Sequence, residues 1–143
     1  MVVIPADRDL EHLSPEARVK CWLFLKKCLI RGVEVSIIET HRSDERQAAL
    51  YAQGRTAPGP RVTWTKVSRH QRKNVNGEPA SDAFDAVPLV NGKITWTAPR
   101  LFAIMGDIAK ELDLRWGGNW DGDDKPGERG ENDSCHFEFK RTS

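Results

Sequence analysis

Two histidines and a few carboxylates, gathered in two short stretches, are the residues of this chain best suited to do chemistry. The first stretch, Ser68 to Asp85, supplies His70 and Asp85, and an apolar run after the carboxylate ends at Pro88. The second, Asp133-Ser-Cys-His136-Phe-Glu138, supplies His136 with an acid on either side. Two imidazoles and one carboxylate converging from separate segments are a usual ligand set for a catalytic zinc ion, with the fourth position left to water. A further carboxylate beside such a site can move a proton, and Asp133 and Glu138 both compete for that role. Glu138 shares a strand face with His136, because alternate residues of a strand point the same way. Asp133 precedes the histidine and is expected to be joined to it by a turn.

Other reactive residues read more plainly. His12 lies in an extended lead-in and is expected to be solvated, and His41 follows a strand as a spectator at the edge of a cleft. Cys135 adjoins His136, but strand neighbours face opposite ways, so it reads as a small half-buried residue. Cys21 and Cys28 fall in one predicted helix with Cα atoms roughly 10 Å apart, beyond disulfide reach. Asp121-Gly-Asp123-Asp124 could take a hard cation such as calcium through oxygen ligands. It lacks the spacing and closing Glu of a twelve-residue calcium loop, so a solvated acidic loop is the competing reading.

The elements that must position these residues are visible in patterning. Ser14-Pro15-Glu16 is a helix start, with a serine cap, a proline at the first helical position and an acid in the first turn. Ala17, Cys21, Trp22, Phe24, Leu25, Cys28 and Leu29 are expected to form its broad apolar face, and Gly32 stops it. Val33 to Glu39 alternates as a strand. Ser43 caps a short second helix that ends at Gly54, and residues 55–67 read as a surface loop. Ala83 to Leu89 is a second strand, and Asn91-Gly92 marks a two-residue hairpin into Lys93 to Trp96. Thr97-Ala-Pro opens a third helix carrying Leu101, Ile104, Met105, Ile108 and Leu112. A polar loop over 121–134 follows Trp116-Gly-Gly-Asn-Trp120, and His136 to Lys140 closes the chain as a strand. This order implies an α+β fold, a small antiparallel sheet packed with about three helices.

Size and charge exclude several classes. A chain of 143 residues is expected to form a single domain, 1–143, with a core that needs no staples. Three cysteines do not make a disulfide framework. A net charge of +1 gives no electrostatic case for nucleic acid or an anionic membrane. No apolar run approaches the ~18 residues of a membrane span, and the N-terminus lacks a basic region followed by an apolar one. The expectation is a protein made in the cytoplasm without a signal peptide.

Taken together, Ser68-x-His70, Ala83-x-Asp85 and Asp133-x-x-His136-Phe-Glu resemble the motif set of the M15 family of zinc peptidases. Within it, the chain is most similar to the phage L-alanyl-D-glutamate peptidases. Glu39-Thr-His-Arg42-Ser, Gln47, Leu50-Tyr-Ala-Gln-Gly-Arg-Thr56 and Trp116-Gly-Gly-x-Trp120 are similar to other signatures of that subfamily, so the resemblance spans about residues 33 to 140. It implies a hedgehog/DD-peptidase-like fold, zinc ligands at His70, Asp85 and His136, and the catalytic carboxylate at Asp133. It also implies Arg42 as the arginine near the substrate, with Gln47 and Ser68 at lesser positions around the site.

The chain departs from the family pattern in two places. Asp85 stands fifteen positions after His70, where the family has a short step, so residues 71–80 read as an inserted loop. That loop brings a second Ala-x-Asp, Ala80-Ser-Asp82; Asp85 is preferred because Phe84, Val87 and Pro88 continue as the family's strand does. Asn119 stands where related sequences often carry Asp.

The resemblance implies a zinc endopeptidase that cuts the L-Ala–D-Glu bond of peptidoglycan stem peptides, expected to be a phage or prophage lysis enzyme and a monomer. It would reach the wall once the membrane is permeabilised, as by a holin pore. Alternatives are a D-Ala-D-Ala carboxypeptidase of the same superfamily and a non-catalytic zinc-containing module that binds wall peptides.

Overall fold

The residues proposed to do chemistry stand on one face of an antiparallel sheet whose other face carries the core. The computed structural model describes residues 4–63, 65–119 and 133–141. Its helices are α1 (Pro15–Ile30), α2 (Asp44–Ala52) and α3 (Pro99–Glu111). Its strands are β1 (Glu34–Glu39), β2 (Ala83–Val90), β3 (Lys93–Ile94), β4 (Leu114–Gly117) and β5 (Asp133–Phe139), with single 3-10 turns at Leu10–His12 and Arg69–Gln71. The α+β expectation holds.

Local chemistry sets the boundaries. Ser14 Oγ accepts from the Ala17 N–H at 3.2 Å and Pro15 follows, so α1 begins where its cap residues stand. Ser43 caps α2 in the same way, accepting from the Arg46 N–H at 3.1 Å. Asn91 and Gly92, with φ of 52° and 76°, make the left-handed pair that a tight hairpin between β2 and β3 requires.

The strand order is β1-β2-β5-β4, every pair antiparallel, with β3 on the far end of β2. On one face Phe84 and Phe137 stack with ring centroids 5.6 Å apart, and Phe24 of α1 meets them at 5.5 and 4.7 Å. Phe102, Met105 and Ile108 of α3 complete this layer. Strand alternation then sends the neighbours Asp85 and His136 to the opposite face.

Three expectations need correction. Trp22 and Leu29 do not line the core; they keep 58% and 64% of their surface, and α1 buries Ala17, Cys21, Phe24 and Cys28 instead. Apolar residues surround this helix, so periodicity alone could not say which side faces inward. Residues 114–117 form a strand, β4, that was not foreseen, and β5 begins at Asp133 rather than His136, taking in the end of the expected 121–134 loop. His12 is paired rather than simply solvated, its Nδ1 lying 2.5 Å from Asp7. Cys21 and Cys28 are free thiols in the core, and burial pushes both up to about 12. The calcium reading at Asp121 and Asp123 falls outside the described residues.

Candidate metal centre

Sheet register assembles the site. Asp85 on the central strand pairs with His136 of β5 on one side and with Glu39 of β1 on the other, so three polar side chains form a row across the sheet. His70 arrives from the 3-10 turn beside them, its ring 5.0 Å from that of His136. Asp85 Oδ1 lies 3.2 Å from His70 Nε2 and 3.3 Å from His136 Nδ1.

The inserted loop does not separate His70 from Asp85 in space, because its base is closed by backbone bonds. The Ala80 N–H donates to the Arg72 carbonyl at 3.0 Å and the Asp82 N–H to the Arg69 carbonyl at 3.2 Å. Asn74 Oδ1 accepts from Asn76 and Glu78, turning the tip and leaving Val75 in solvent. The fifteen-residue step thus acts as a short one.

Ligand atoms of His70, Asp85 and His136 all lie within 4.8 Å of one another, and these residues could hold a metal ion. Four-coordinate zinc with bonds of about 2.0–2.2 Å places its ligand atoms roughly 3.3–3.5 Å apart. The two contacts at Asp85 Oδ1 already match that spacing. Each imidazole is also held from behind, as metal-binding histidines usually are. His70 Nδ1 lies 2.6 Å from the Thr40 carbonyl, which fixes the proton there and turns the Nε2 lone pair toward Asp85. His136 Nε2 lies 2.9 Å from Glu138 Oε1, which leaves Nδ1 for the centre. The residues present fit the ion.

The electrostatics follow from this packing. Burial alone would raise Asp85, but the facing imidazoles outweigh it and hold the carboxyl far below the usual range. Burial likewise opposes charge on His136, yet Asp85 and Glu138 together hold its ring up to about 10. Asp133 behaves differently. Burial, joined by the nearby Asp85 charge, raises its carboxyl above the ordinary value against the pull of His136. Its Oδ2 stands 4.0 Å from His136 Nδ1, and the side chain keeps 56% of its surface. No turn joins the two residues; Asp133 opens β5, and a register shift between Trp116 and Gly117 aims it. Gly117 permits this, since a Cβ there would stand 2.1 Å from the Asp133 carbonyl oxygen.

The remaining predicted residues surround the cluster at different depths. Arg42 is only 12% exposed, so it is no surface ion pair: its terminal nitrogens donate to Gln47 Oε1 at 2.8 Å and Glu39 Oε1 at 2.7 Å, and one lies 3.6 Å from Asp85 Oδ2. It thereby relieves the repulsion of Glu39 and Asp85, like charges paired across adjacent strands. Gln47 is fully buried, and its amide also donates to the Thr65 carbonyl at 2.6 Å. Ser68 closes a capping box around the turn: its Oγ accepts from the His70 N–H at 3.2 Å, and its N–H donates to Gln71 Oε1 at 2.6 Å. His41 is buried outside the cluster, and burial pushes its pKa down.

Asp82, the other Ala-x-Asp carboxylate, is directed elsewhere. It accepts from Ser14 Oγ at 2.8 Å and from Arg141 at 2.8 and 2.9 Å, and Arg72 lies 3.4 Å away. Glu39 and Thr40 entered the sequence reading only within the Glu39-Thr-His-Arg42-Ser signature, without a role, and Arg46 did not enter it. Arg46 holds Glu39 Oε2 at 2.5 Å. Thr40 acts through its backbone, which no side-chain motif reports; an acid ending an apolar strand was the available signal for Glu39.

The sequence matches the family model described as phage L-alanyl-D-glutamate peptidase over residues 19–140. No curated protein sequence matches the chain. Among solved structures it is similar to the L-Ala D-Glu endopeptidase ChiX of Serratia marcescens, with a TM-score of 0.63 and 22% identity over 97% of this chain and 89% of that one. Identity this low speaks for the fold alone. The family match carries more, since it takes in His70, Asp85, Asp133 and His136 and leaves out only the two ends: the chain belongs to the phage L-alanyl-D-glutamate peptidase family.

Proposed function

We propose that this protein is a zinc-dependent endopeptidase that hydrolyses the L-Ala–D-Glu bond of peptidoglycan stem peptides, and that it serves phage or prophage lysis. The observation that carries the reading is the grouping of His70, Asp85 and His136 around one point, with the Asp133 carboxyl at its rim, 4.0 Å from His136 Nδ1. Zinc would be held by His70 Nε2, one Asp85 oxygen and His136 Nδ1, and when bound it supplies Lewis acidity toward the scissile carbonyl and the attacking water. Asp133 takes the proton from that water and returns it to the leaving amine.

Glu138 competed with Asp133 for this role. Its carboxylate is engaged at His136 Nε2, so its work is to orient the ring. Ser68 acts through the turn that carries His70, and Gln47 acts through Arg42. Arg42 is our assignment for the D-Glu α-carboxylate that lies beside the scissile amide. A guanidinium has five N–H donors, so the bonds to Glu39 and Gln47 leave capacity for a charge-assisted pair.

Mass spectrometry of digested muropeptides tests the bond. Release of whole peptides beginning at D-Glu is expected, lost with chelator and restored by zinc. Release of single D-Ala would reassign the enzyme as a carboxypeptidase, and binding without any cleavage would reduce it to a wall-peptide module.

A further inference from the structure

The outward side of α1 is apolar where a surface helix is ordinarily polar. Val19, Trp22, Leu23, Leu29 and Ile30 keep 59, 58, 40, 64 and 74% of their surface. Their spacing places them on one stripe, opposite the Ala17, Cys21, Phe24 and Cys28 face that packs on the sheet. The stripe contains one charge, Lys26, which is exposed and has no ion-pair partner among the described residues. Lys27 and Arg31 flank it, whereas the Lys20 ammonium is held at the Leu112 carbonyl at 2.6 Å. The nearby acid Glu16 is taken up by Arg141 at 3.0 Å. Glu111 sits 3.7 Å from Lys27, and Glu11 sits 3.1 Å from Arg18. A net charge of +1 for the whole chain conceals this local excess of cations around exposed apolar side chains.

We propose that this face of α1 docks on an anionic lipid surface. An interfacial helix needs an apolar stripe with tryptophan to enter the headgroup boundary, and lysines whose stems lie along it while their charges reach lipid phosphates. α1 has the stripe with Trp22 in it, Lys26 within the stripe and Arg31 beside it. A second copy of the chain suits the face less well, because a two-fold contact along the stripe would bring the two Lys26 charges together. The helix lies on the sheet, not across a bilayer, and among the described residues no helix is long and apolar enough to cross a membrane. Docking also leaves the metal centre open. Phe24 packs on the Phe84–Phe137 face of the sheet, whereas Asp85 and His136 point from the other, so a docked molecule holds that second face away from the lipid. The proposal does not depend on the peptidase reading.

Co-sedimentation of the full chain with vesicles tests it, using phosphatidylcholine alone and an equal mixture with phosphatidylglycerol. Binding to the mixed vesicles and not to the neutral ones is expected, weakened by salt. Trp22→Asp should lower binding about tenfold or more, and Lys26→Glu about fivefold or more. Both variants should melt with wild type and cleave soluble stem peptides at its rate. Absence of binding to the mixed vesicles overturns the proposal, as does undiminished binding by Trp22→Asp. Self-association in sedimentation velocity that Trp22→Asp abolishes would give the face to a second copy instead.

Discussion

Asp82 and Asp85 are three residues apart, each follows an Ala-x pattern, and each is a buried carboxylate, yet they serve opposite ends. Asp82 meets a full set of matched donors: the Ser14 hydroxyl, the Arg141 fork and Arg72. These tie the start of α1 to the strand edge and the C-terminal segment. Asp85 faces two imidazoles across 3.2 and 3.3 Å, with their outer nitrogens committed elsewhere. The first arrangement is closed and serves stability. The second converges on a point, and donors that converge on a point suit an ion. Local sequence cannot separate the two cases, because what differs is the partners brought by distant segments.

Substitution should split the pair along that line. Asp85→Ala is expected to abolish zinc retention and to lower muropeptide cleavage by at least ~10³-fold, leaving the far-ultraviolet spectrum unchanged. Asp82→Ala should do the reverse. It takes the acceptor from the Ser14 hydroxyl and from two Arg141 donors, leaving Arg141 only Glu16 among the described carboxylates, and costs about 3 kcal/mol in denaturant unfolding, while zinc affinity and turnover per folded molecule stay at wild-type values. Acid adds a second handle. Burial opposes the Asp82 charge, but Arg141 and Ser14 hold its pKa below the ordinary 3.8. The folded-state pKa is depressed, so this stabilisation is complete above that value and fades as pH falls toward the lower one. Wild type should therefore lose an increment of stability below about pH 4 that Asp82→Ala lacks.

Smaller effects sharpen the picture. Glu138→Gln should weaken zinc binding about 10- to 100-fold, because the ring of His136 loses the carboxylate behind it. Lys140→Ala removes a pair with Asp113 that is 51% and 77% exposed. It should change stability by less than about 1 kcal/mol, a baseline against which the Asp82 result can be judged.

Much of this was legible in the chain. Ser14-Pro15, Asn91-Gly92 and the spacing of Leu101, Ile104, Met105 and Ile108 act locally, so their elements could be placed from sequence. The rest depends on distant partners. β4 is four residues long and includes a glycine; it exists because Leu114 to Gly117 pair with β5. The orientation of α1 could not be read because both its faces are apolar. At the site, the family resemblance implied His70, Asp85 and His136, which the structure brings together. It could not show that Glu138 is spent on His136, that Arg42 bridges Glu39 and Asp85, or that a backbone carbonyl orients His70.

The central claim is that His70, Asp85 and His136 hold the ion while Asp133 works beside it without holding it. Zinc content and muropeptide cleavage measured together on Asp133→Ala test this most directly. The expected result is one zinc per chain, as in wild type, with cleavage reduced by about 10²–10⁴-fold. Cleavage at the wild-type rate, or loss of the zinc along with the carboxylate, would contradict it.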